Sequence, residues 1–232
     1  MKLAIMQPYF FPYLGYWQMF NVVDKFVLLD DVNFIMRGYI NRNIILINGK
    51  ANLFTIPLEK PSQNKLINET KLNFQQKDKE KFLKTITLAY KKAPFYNDFY
   101  PVLEDIVNNP ETDLTMFLKY SFEKVKEYLG LTTEILLSSE VEKDNSLRAQ
   151  DRIIAINKSL SATNYINAIG GQELYNREDF DRAGIKLNFI KMLPYEYKQL
   201  KNEFVPNLSM IDVLMFNSKD NSKNLLNNYE LL

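Results

Sequence analysis

Two adjacent aspartates are the side chains best suited to proton transfer in this chain, which contains no histidine. Asp30 and Asp31 directly follow the apolar residues 25–29, a pattern that predicts a buried strand. A carboxylate at a strand end can bind a sugar hydroxyl or act as a general base. Because neighbouring strand residues point to opposite faces, we expect one carboxylate to face a pocket, and the sequence leaves open which one. The competing interpretation is a pair of loop aspartates that accept hydrogen bonds from the turn backbone.

A segment rich in arginine and asparagine follows the aspartates at residues 37–43. Arginine suits two-point contacts with phosphate or carboxylate, and an asparagine amide can stabilise an oxyanion. A solvated loop explains the same composition, and closeness to the first two predicted strands gives the two interpretations equal weight. The residues predicted to bind substrate here are Arg37, Asn41, Arg42 and Asn43.

The turn after the first predicted strand is the second candidate for ligand binding. Residues 2–6 predict a buried strand and residues 16–23 a helix, and Pro8 and Pro12 stiffen the turn between them. Ligands bind where the carboxyl ends of parallel strands meet helix N-termini, so this turn could hold a sugar or base ring. A turn that packs its aromatic side chains into the core is equally compatible. The predicted contacts are Gln7, Tyr9, Gly15 and Trp17.

A glycine pair follows a predicted strand at residues 164–166. Gly170 and Gly171 would let a ligand approach the backbone closely, and they complete the predicted substrate-binding set. The pattern matches neither the dinucleotide-binding fingerprint nor a P-loop, so a plain tight turn is the favoured alternative.

Two serines and two arginines are lesser candidates. Ser138 and Ser139 follow a predicted strand and could contact a phosphate. Arg148 and Arg152 lie four residues apart on a predicted helix and could present one basic face.

The composition excludes several classes of chemistry. Without cysteine or histidine there is no disulfide framework, no thiol nucleophile, no Cys/His zinc site and no Ser-His-Asp triad. The 29 basic and 28 acidic residues give a net charge of +1, so we expect no nucleic-acid partner. No apolar run is long enough for a membrane span and no signal peptide is recognisable, which predicts a cytoplasmic location. Magnesium bound by oxygen ligands stays compatible with the composition, but no residue is assigned as a metal ligand. The sequence leaves the cofactor and the oligomeric state open.

Alternating strand-like and helix-like runs predict the fold. They indicate an α/β protein with a parallel-sheet, Rossmann-like core that opens with a β-turn-α-β unit. Asn48-Gly49 between apolar runs predicts a β-hairpin extension. A mostly helical insertion is predicted near residues 75–130, within a single domain over residues 1–232.

Local signals add four predictions of detail. Strands are expected at residues 67–72 and 134–137. Gly130 is the expected C-cap of the last inserted helix, and Ser209 the N-cap of a helix near the C-terminus.

Several long motifs occur in the order typical of one family. The stretches MKLAIMQPYFFPYLGYWQ, DDVNFIMRGYINRN, YKKAPFY, NAIGGQELY and PNLSMIDVLMFN together resemble the WbqC-like protein family, over residues 1 to about 217. Members of that family occur in bacterial gene sets for O-antigen and other surface glycans. A weaker similarity links the opening strand, turn and helix to HIGH-motif nucleotidyltransferases. The histidines of that motif are missing here, and Gly15-Tyr16-Trp17 stands where a Gly-His pair would be expected.

The resemblance implies a role in bacterial surface-glycan biosynthesis. The leading hypothesis is a transferase that modifies a nucleotide- or lipid-linked sugar by group transfer, such as N-acylation of an amino sugar. Asp30 or Asp31 would accept the amine proton, so Asp31→Asn is expected to abolish turnover with little loss of stability. Arg37 or Arg42 would hold a phosphate, and Asn41 or Asn43 an oxyanion. The alternatives are a non-catalytic protein that binds a nucleotide-sugar or glycan intermediate, and a nucleotidyltransferase-like enzyme.

Overall fold

The computed structural model describes residues 1–201 and 203–232. Its strands are β1 (Lys2–Met6), β2 (Lys25–Leu28), β3 (Arg42–Ile47), β4 (Lys50–Thr55), β5 (Leu58–Glu59), β6 (Lys71–Leu72), β7 (Glu134–Leu137), β8 (Asn164–Ala168), β9 (Lys186–Met192) and β10 (Tyr229–Leu231). Its helices are α1 (Leu14–Val22), α2 (Gln76–Tyr90), α3 (Tyr96–Asn108), α4 (Leu114–Leu129), α5 (Ala149–Ser159), α6 (Arg177–Arg182), α7 (Met210–Phe216) and α8 (Lys219–Leu226).

A six-stranded sheet has the order β10-β9-β8-β1-β2-β7. Five strands are parallel, and β10 pairs antiparallel with β9. The chain runs from β1 outward to β2 and β7, then returns to β8 on the other side of β1, as in Rossmann-like folds. The prediction of a mainly parallel, Rossmann-like α/β sheet is therefore confirmed. Loops at the carboxyl ends of β1, β2, β7 and β8 share one edge, where such folds bind ligands.

The sheet separates two apolar cores because successive strand residues point to opposite faces. In β2, Phe26 packs in the larger core with Trp17 and Phe122, while Val27 packs in the smaller core with Phe180. Helices α1 to α4, α7 and α8 contribute to the larger core, and α5 and α6 to the smaller one. Short apolar strands buried on both faces are typical of parallel sheets.

The predicted hairpin is confirmed as β3 and β4, with Ile47 paired to Lys50. Asn48 and Gly49 have φ angles of 51° and 73°, and two successive left-handed residues form the tight turn that matches strand twist. Gly130 is the left-handed C-cap of α4, as predicted.

Helices α2 to α4 occupy residues 76–129, where the sequence predicts the helical insertion. The single-domain organisation stays a prediction. The strand predicted at residues 67–72 is wrong in part, because Ile67–Glu69 forms a 3-10 turn and only Lys71–Leu72 is extended. The strand at Glu134–Leu137 is confirmed, whereas β10 is not predicted by the sequence pattern. Within the described residues, no helix is both long and apolar enough to cross a membrane.

Candidate functional site

The carboxyl edge of the sheet contains two cavities lined by the loops after β1, β2 and β7. The first, which we call the aromatic cavity, has a volume of about 380 Å³. Its lining residues are Tyr9, Pro12, Tyr13, Tyr39, Asn43 and Asn207. The second, the polar cavity, has a volume of about 530 Å³. Its lining residues are Asp31, Val32, Asn33, Leu66, Asn68, Ser139, Asn145, Arg148 and Arg152.

Tyrosine rings form the wall of the aromatic cavity. The ring of Tyr9 lies 5.7 Å from that of Tyr16 and 6.2 Å from that of Tyr39, measured between centroids. Burial raises the pKa of Tyr9 and of Tyr13, so both phenols stay protonated at neutral pH. A protonated phenol can donate a hydrogen bond to a ligand while its ring packs against an apolar face.

The rings of Tyr9 and Tyr13 belong to the turn between β1 and α1, residues 7–13, which we call the aromatic turn. Hydrogen bonds to its backbone carbonyls hold it in place. Phe11 has a φ of 46°, which a non-glycine residue adopts only when its surroundings hold it there. Its carbonyl accepts hydrogen bonds from Asn43 Nδ2 at 2.7 Å and from Ser209 Oγ at 2.8 Å. Asn43 Nδ2 also donates to the Phe10 carbonyl at 3.1 Å. Asn43, predicted to bind substrate, therefore uses its side-chain amide donors to hold the turn.

Replacing Asn43 with alanine should lower the free energy of unfolding by about 2 kcal/mol, because two buried carbonyls lose a donor. Urea denaturation of Asn43→Ala measures this loss. Asn52→Ala on β4 is the control, since that amide bonds local backbone near the surface and its removal should change stability by about 0.5 kcal/mol or less. Equal stability of the two variants would contradict the holding role of Asn43.

Three residues at or before α1 that are predicted to contact a ligand, namely Gln7, Gly15 and Trp17, contact other parts of the protein in the structure. Trp17 is completely buried in the larger core, and Gly15 is buried beneath the ring of Tyr13. A Cβ at Gly15 would lie 2.6 Å from Tyr13 Cε2, so this glycine makes room for the ring. The Gln7 carbonyl accepts a hydrogen bond from the Tyr16 hydroxyl at 2.8 Å. The predicted ligand contact of Trp17 is wrong, because this side chain has no surface that a ligand can reach.

The arginine- and asparagine-rich segment mostly supports the hairpin. Asn41 Nδ2 donates to the Ile56 carbonyl at 2.8 Å, and Arg42 Nε to the Gly38 carbonyl at 2.8 Å. Arg37 is exposed and left-handed, with a φ of 63°. These three residues do not line either cavity, so their predicted phosphate and oxyanion contacts stay predictions.

Asp31 lies at the centre of an ion network in the polar cavity. Its carboxylate lies 2.7 Å from Lys143 Nζ and 2.5 Å from Arg152 Nη2, and it accepts a hydrogen bond from the Ser138 hydroxyl. Burial alone would raise the pKa of Asp31, but hydrogen bonds from Lys143 and Ser138, with the charge of Arg152, hold it below its usual range. A carboxylate that binds its proton so weakly is a poor general base at neutral pH.

Asp30 is almost completely buried beside this network. Its carboxylate accepts hydrogen bonds from Ser139 N at 2.9 Å and Ser139 Oγ at 2.7 Å, with a longer contact of 3.4 Å from Asn68 Nδ2. Of the two aspartates, Asp31 is the one that lines the cavity. Both carboxylates join the end of β2 to the end of β7, and their predicted catalytic role receives no support from this geometry.

The glycine pair lies in a 3-10 turn after β8, at Ile169–Leu174. Gly170 is exposed with open space where a side chain would stand, whereas Gly171 is buried against the side chain of Asn167. These contacts fit the tight-turn interpretation, and the predicted ligand contact stays a prediction. Among the described residues, no three acidic side chains are grouped so that they could hold a metal ion.

A third buried carboxylate, that of Asp212, forms a hydrogen-bond network near the aromatic turn. Asp212, in the first turn of α7, accepts hydrogen bonds from the Tyr90 hydroxyl at 2.9 Å, the Tyr197 hydroxyl at 2.7 Å and Gln199 Nε2 at 2.8 Å. Burial raises its pKa to about 6, although the three hydrogen bonds oppose this. Ser209, which precedes α7, is the N-cap as predicted and also donates to the aromatic turn.

The fold and its carboxyl-edge cavities define a Rossmann-like α/β protein with a candidate ligand site. The chain belongs to the WbqC-like protein family, whose model matches residues 7–224. It is 25% identical over 216 residues to "Uncharacterized protein Rv1507c" of Mycobacterium tuberculosis, covering 92% of each chain. No solved structure matches it.

Proposed function

We propose that this protein binds a nucleotide- or lipid-linked sugar at the carboxyl edge and modifies it by group transfer in bacterial surface-glycan biosynthesis. The observation that carries the proposal is the aromatic cavity. Tyr9, Tyr13 and Tyr39 offer ring faces for the apolar side of a pyranose, and their phenols and the Asn207 side chain offer partners for its hydroxyls. The resemblance to proteins of glycan gene sets supports the same ligand class.

N-acylation of an amino sugar is the reaction proposed in most detail. The amine attacks the acyl carbonyl, loses a proton and displaces the acyl carrier. Neither Asp30 nor Asp31 is free to accept that proton, because each carboxylate is engaged by hydrogen bonds or ion pairs. The contribution of the described residues would then be to orient the substrates, with the proton passing to solvent or to the carrier's leaving group.

A non-catalytic binding role is the second candidate, and the engagement of both aspartates favours it. This candidate predicts measurable affinity for a nucleotide-sugar and no product with any donor. Mass spectrometry of a nucleotide-linked amino sugar incubated with acetyl-CoA and the protein separates the two. A gain of one acetyl group supports transfer, and unchanged sugar in the presence of proven binding supports the binding role. Pyrophosphate release from a nucleoside triphosphate would instead support nucleotidyl transfer.

Replacing Tyr39 with alanine should weaken nucleotide-sugar binding about 3- to 10-fold, the equivalent of one lost ring contact. Tyr39 is half-exposed, so little stability should be lost. Isothermal titration calorimetry of wild type and Tyr39→Ala measures the affinity. Leu88→Ala, an exposed apolar truncation on α2, is the matched control and should bind as wild type does. Unchanged affinity in Tyr39→Ala would remove the aromatic cavity as the sugar site.

A further inference from the structure

The guanidinium of Arg152 has an unused buried donor. The side chain is 8% exposed and lines the polar cavity, and its Nη2 binds the carboxylate and, at 3.1 Å, the carbonyl of Asp31. Its Nε is completely buried and has no hydrogen-bond partner in the described part of the chain. Buried donors are rarely left unpaired, so this guanidinium keeps a donor for which the described residues supply no acceptor.

Arg148 adds a positive charge to the same wall, with the carboxylate of Asp144 near enough to interact with it. It precedes α5 by one residue, four positions before Arg152, and it is exposed. Its Nη1 donates to the carbonyls of Asn145 at 2.6 Å and Leu147 at 3.0 Å, and it forms no ion pair with any described carboxylate. Lys143 and Arg152 share the carboxylate of Asp31, and the carboxylate of Asp30 lies beside them, so Arg148 is the cation of this wall that no described carboxylate pairs with.

The remaining wall of the polar cavity carries neutral polar groups, of which the Ser139 hydroxyl already donates to Asp30 and the Asn33 amide to the Gln63 carbonyl. Amide or hydroxyl groups come from four lining residues, Asn33, Asn68, Asn145 and Ser139. The N-cap position of α5, held by Arg148, provides no side-chain acceptor for the first-turn amides. The positive end of the helix dipole lies at Arg148 and favours an anion, and Asp151 in the first turn of α5 offsets part of it.

We propose that the polar cavity binds the phosphate oxygens of a phosphate ester, with Arg148 and Arg152 as its charged ligands. A planar guanidinium forms paired hydrogen bonds with phosphate, and the buried Arg152 is fixed for this by Asp31. The proposal deepens the proposed function and rests on it only for the sugar attached to the phosphate.

One loop links the phosphate site to the sugar site. Asn33 lines the polar cavity and Tyr39 lines the aromatic cavity, six residues further along the same loop. Six residues span at most about 20–22 Å when fully extended. Asn33 and Tyr39, and with them one wall of each cavity, therefore lie within that distance of each other.

Calorimetric titration of the full chain with inorganic pyrophosphate and with uridine diphosphate tests the phosphate site. Arg148→Ala should weaken both probes about 10-fold or more, because one charge-assisted contact is lost. Arg152→Lys keeps the positive charge beside Asp31 and removes the orphan Nε, so it should weaken both probes while the melting temperature is retained. Lys158→Ala removes one exposed charge from the far end of α5 and should leave both affinities unchanged. Binding by the wild type should fall as salt is raised.

The outcomes separate this inference from the proposed function. Equal affinity of wild type and Arg148→Ala for both probes, or no binding of either probe at millimolar concentration, would overturn the phosphate site. If Tyr39→Ala loses nucleotide-sugar affinity while Arg148→Ala binds pyrophosphate as wild type does, the sugar site is supported and the phosphate site is rejected. Pyrophosphate binding that depends on Arg148, with nucleotide-sugar affinity insensitive to Tyr39, would establish the phosphate site and reject the aromatic cavity.

Discussion

Replacing Asp31 with asparagine should lower the free energy of unfolding by about 3–5 kcal/mol at pH 7, because two buried cations lose their shared carboxylate. The Lys143 side chain is 1% exposed, so the charge it carries cannot be taken up by water without a rearrangement of the loop after β7. The Asp31→Asn amide retains one oxygen for the Ser138 hydroxyl but supplies no negative charge. Guanidinium denaturation at pH 7 measures the loss.

An exposed ion pair provides the matched control for Asp31. Asp105 pairs with Lys124 at 3.0 Å on the surface of α3 and α4, where both side chains are substantially exposed. Asp105→Asn should cost about 1 kcal/mol or less, since exposed pairs contribute little.

The stabilisation by Asp31 should depend on pH. Because the folded-state pKa of Asp31 is lowered, its contribution to the free energy of unfolding is complete above about pH 4 and falls as the pH drops through that lowered value. The gap between wild type and Asp31→Asn should therefore narrow in acid.

The same variant tests the two interpretations of the aspartate pair. An Asp31→Asn protein as stable as wild type, with its turnover lost, would restore the general-base role expected from the sequence. A destabilised protein in which the remaining folded fraction binds pyrophosphate more weakly than wild type does would assign Asp31 to holding Arg152 in place. The second result is expected from the two ion pairs.

Local signals in the sequence are sufficient for most of the sheet. The apolar stretches at β1, β2 and β7 are short and bounded by polar residues, and all three form strands of the six-stranded sheet, β1 and β2 inside it and β7 at its edge. Asn48-Gly49 and Gly130 act through backbone conformations that few other residues adopt, so their effects could be predicted without any tertiary information. The C-terminal strand β10 lacks such a signal, because its pairing with β9 decides its conformation.

The sequence indicates several residues of the polar cavity one by one, but not that they lie together. The sequence marks Ser138 and Ser139 as candidate phosphate contacts and Arg148 with Arg152 as one basic helix face. It does not show that Arg152 meets the Asp31 carbonyl across 121 residues of sequence. That contact exists because β7 lies beside β2 in the sheet, which the order of residues does not reveal. Lys143, the other partner of Asp31, follows no pattern that marks it as buried.

Helix α1 shows how a site motif and a core motif can look alike. Residues from Leu14 to Phe20 are buried without interruption, including Gln18, whose amide donates to the carbonyls of Leu225 and Asn228. A helix buried on all sides has no polar face, and this lack of periodicity was the available sign that Trp17 belongs to the core. The exposed ring of Tyr13, one residue before the helix, is the part of the motif that reaches the cavity.

Replacing Asp212 with alanine should destabilise the protein by about 2–4 kcal/mol at pH 7, because three buried donors lose their acceptor. The Tyr90 hydroxyl also accepts a hydrogen bond from Leu46 N at 2.8 Å, so the network connects α7 with α2 and the hairpin strand β3. Loss of this carboxylate should therefore loosen the support of the aromatic turn as well as the core. Denaturation curves for wild type and Asp212→Ala give the difference.

The pH dependence of that difference has the opposite sign to that of Asp31. The folded-state pKa of Asp212 is raised to about 6, above the ordinary value of 3.8, so the folded protein binds this proton more tightly than the unfolded chain does. The resulting stability is complete below the unfolded pKa and is lost as the pH rises through about 6. Between pH 7 and pH 5 the gap between wild type and Asp212→Ala should widen by about 1 kcal/mol. Asp212→Asn, which cannot titrate, is the control and should show the same pH trend as Asp212→Ala. A gap that stays constant from pH 8 to pH 5 would mean that the buried carboxylate is charged throughout, with its hydrogen bonds outweighing its burial.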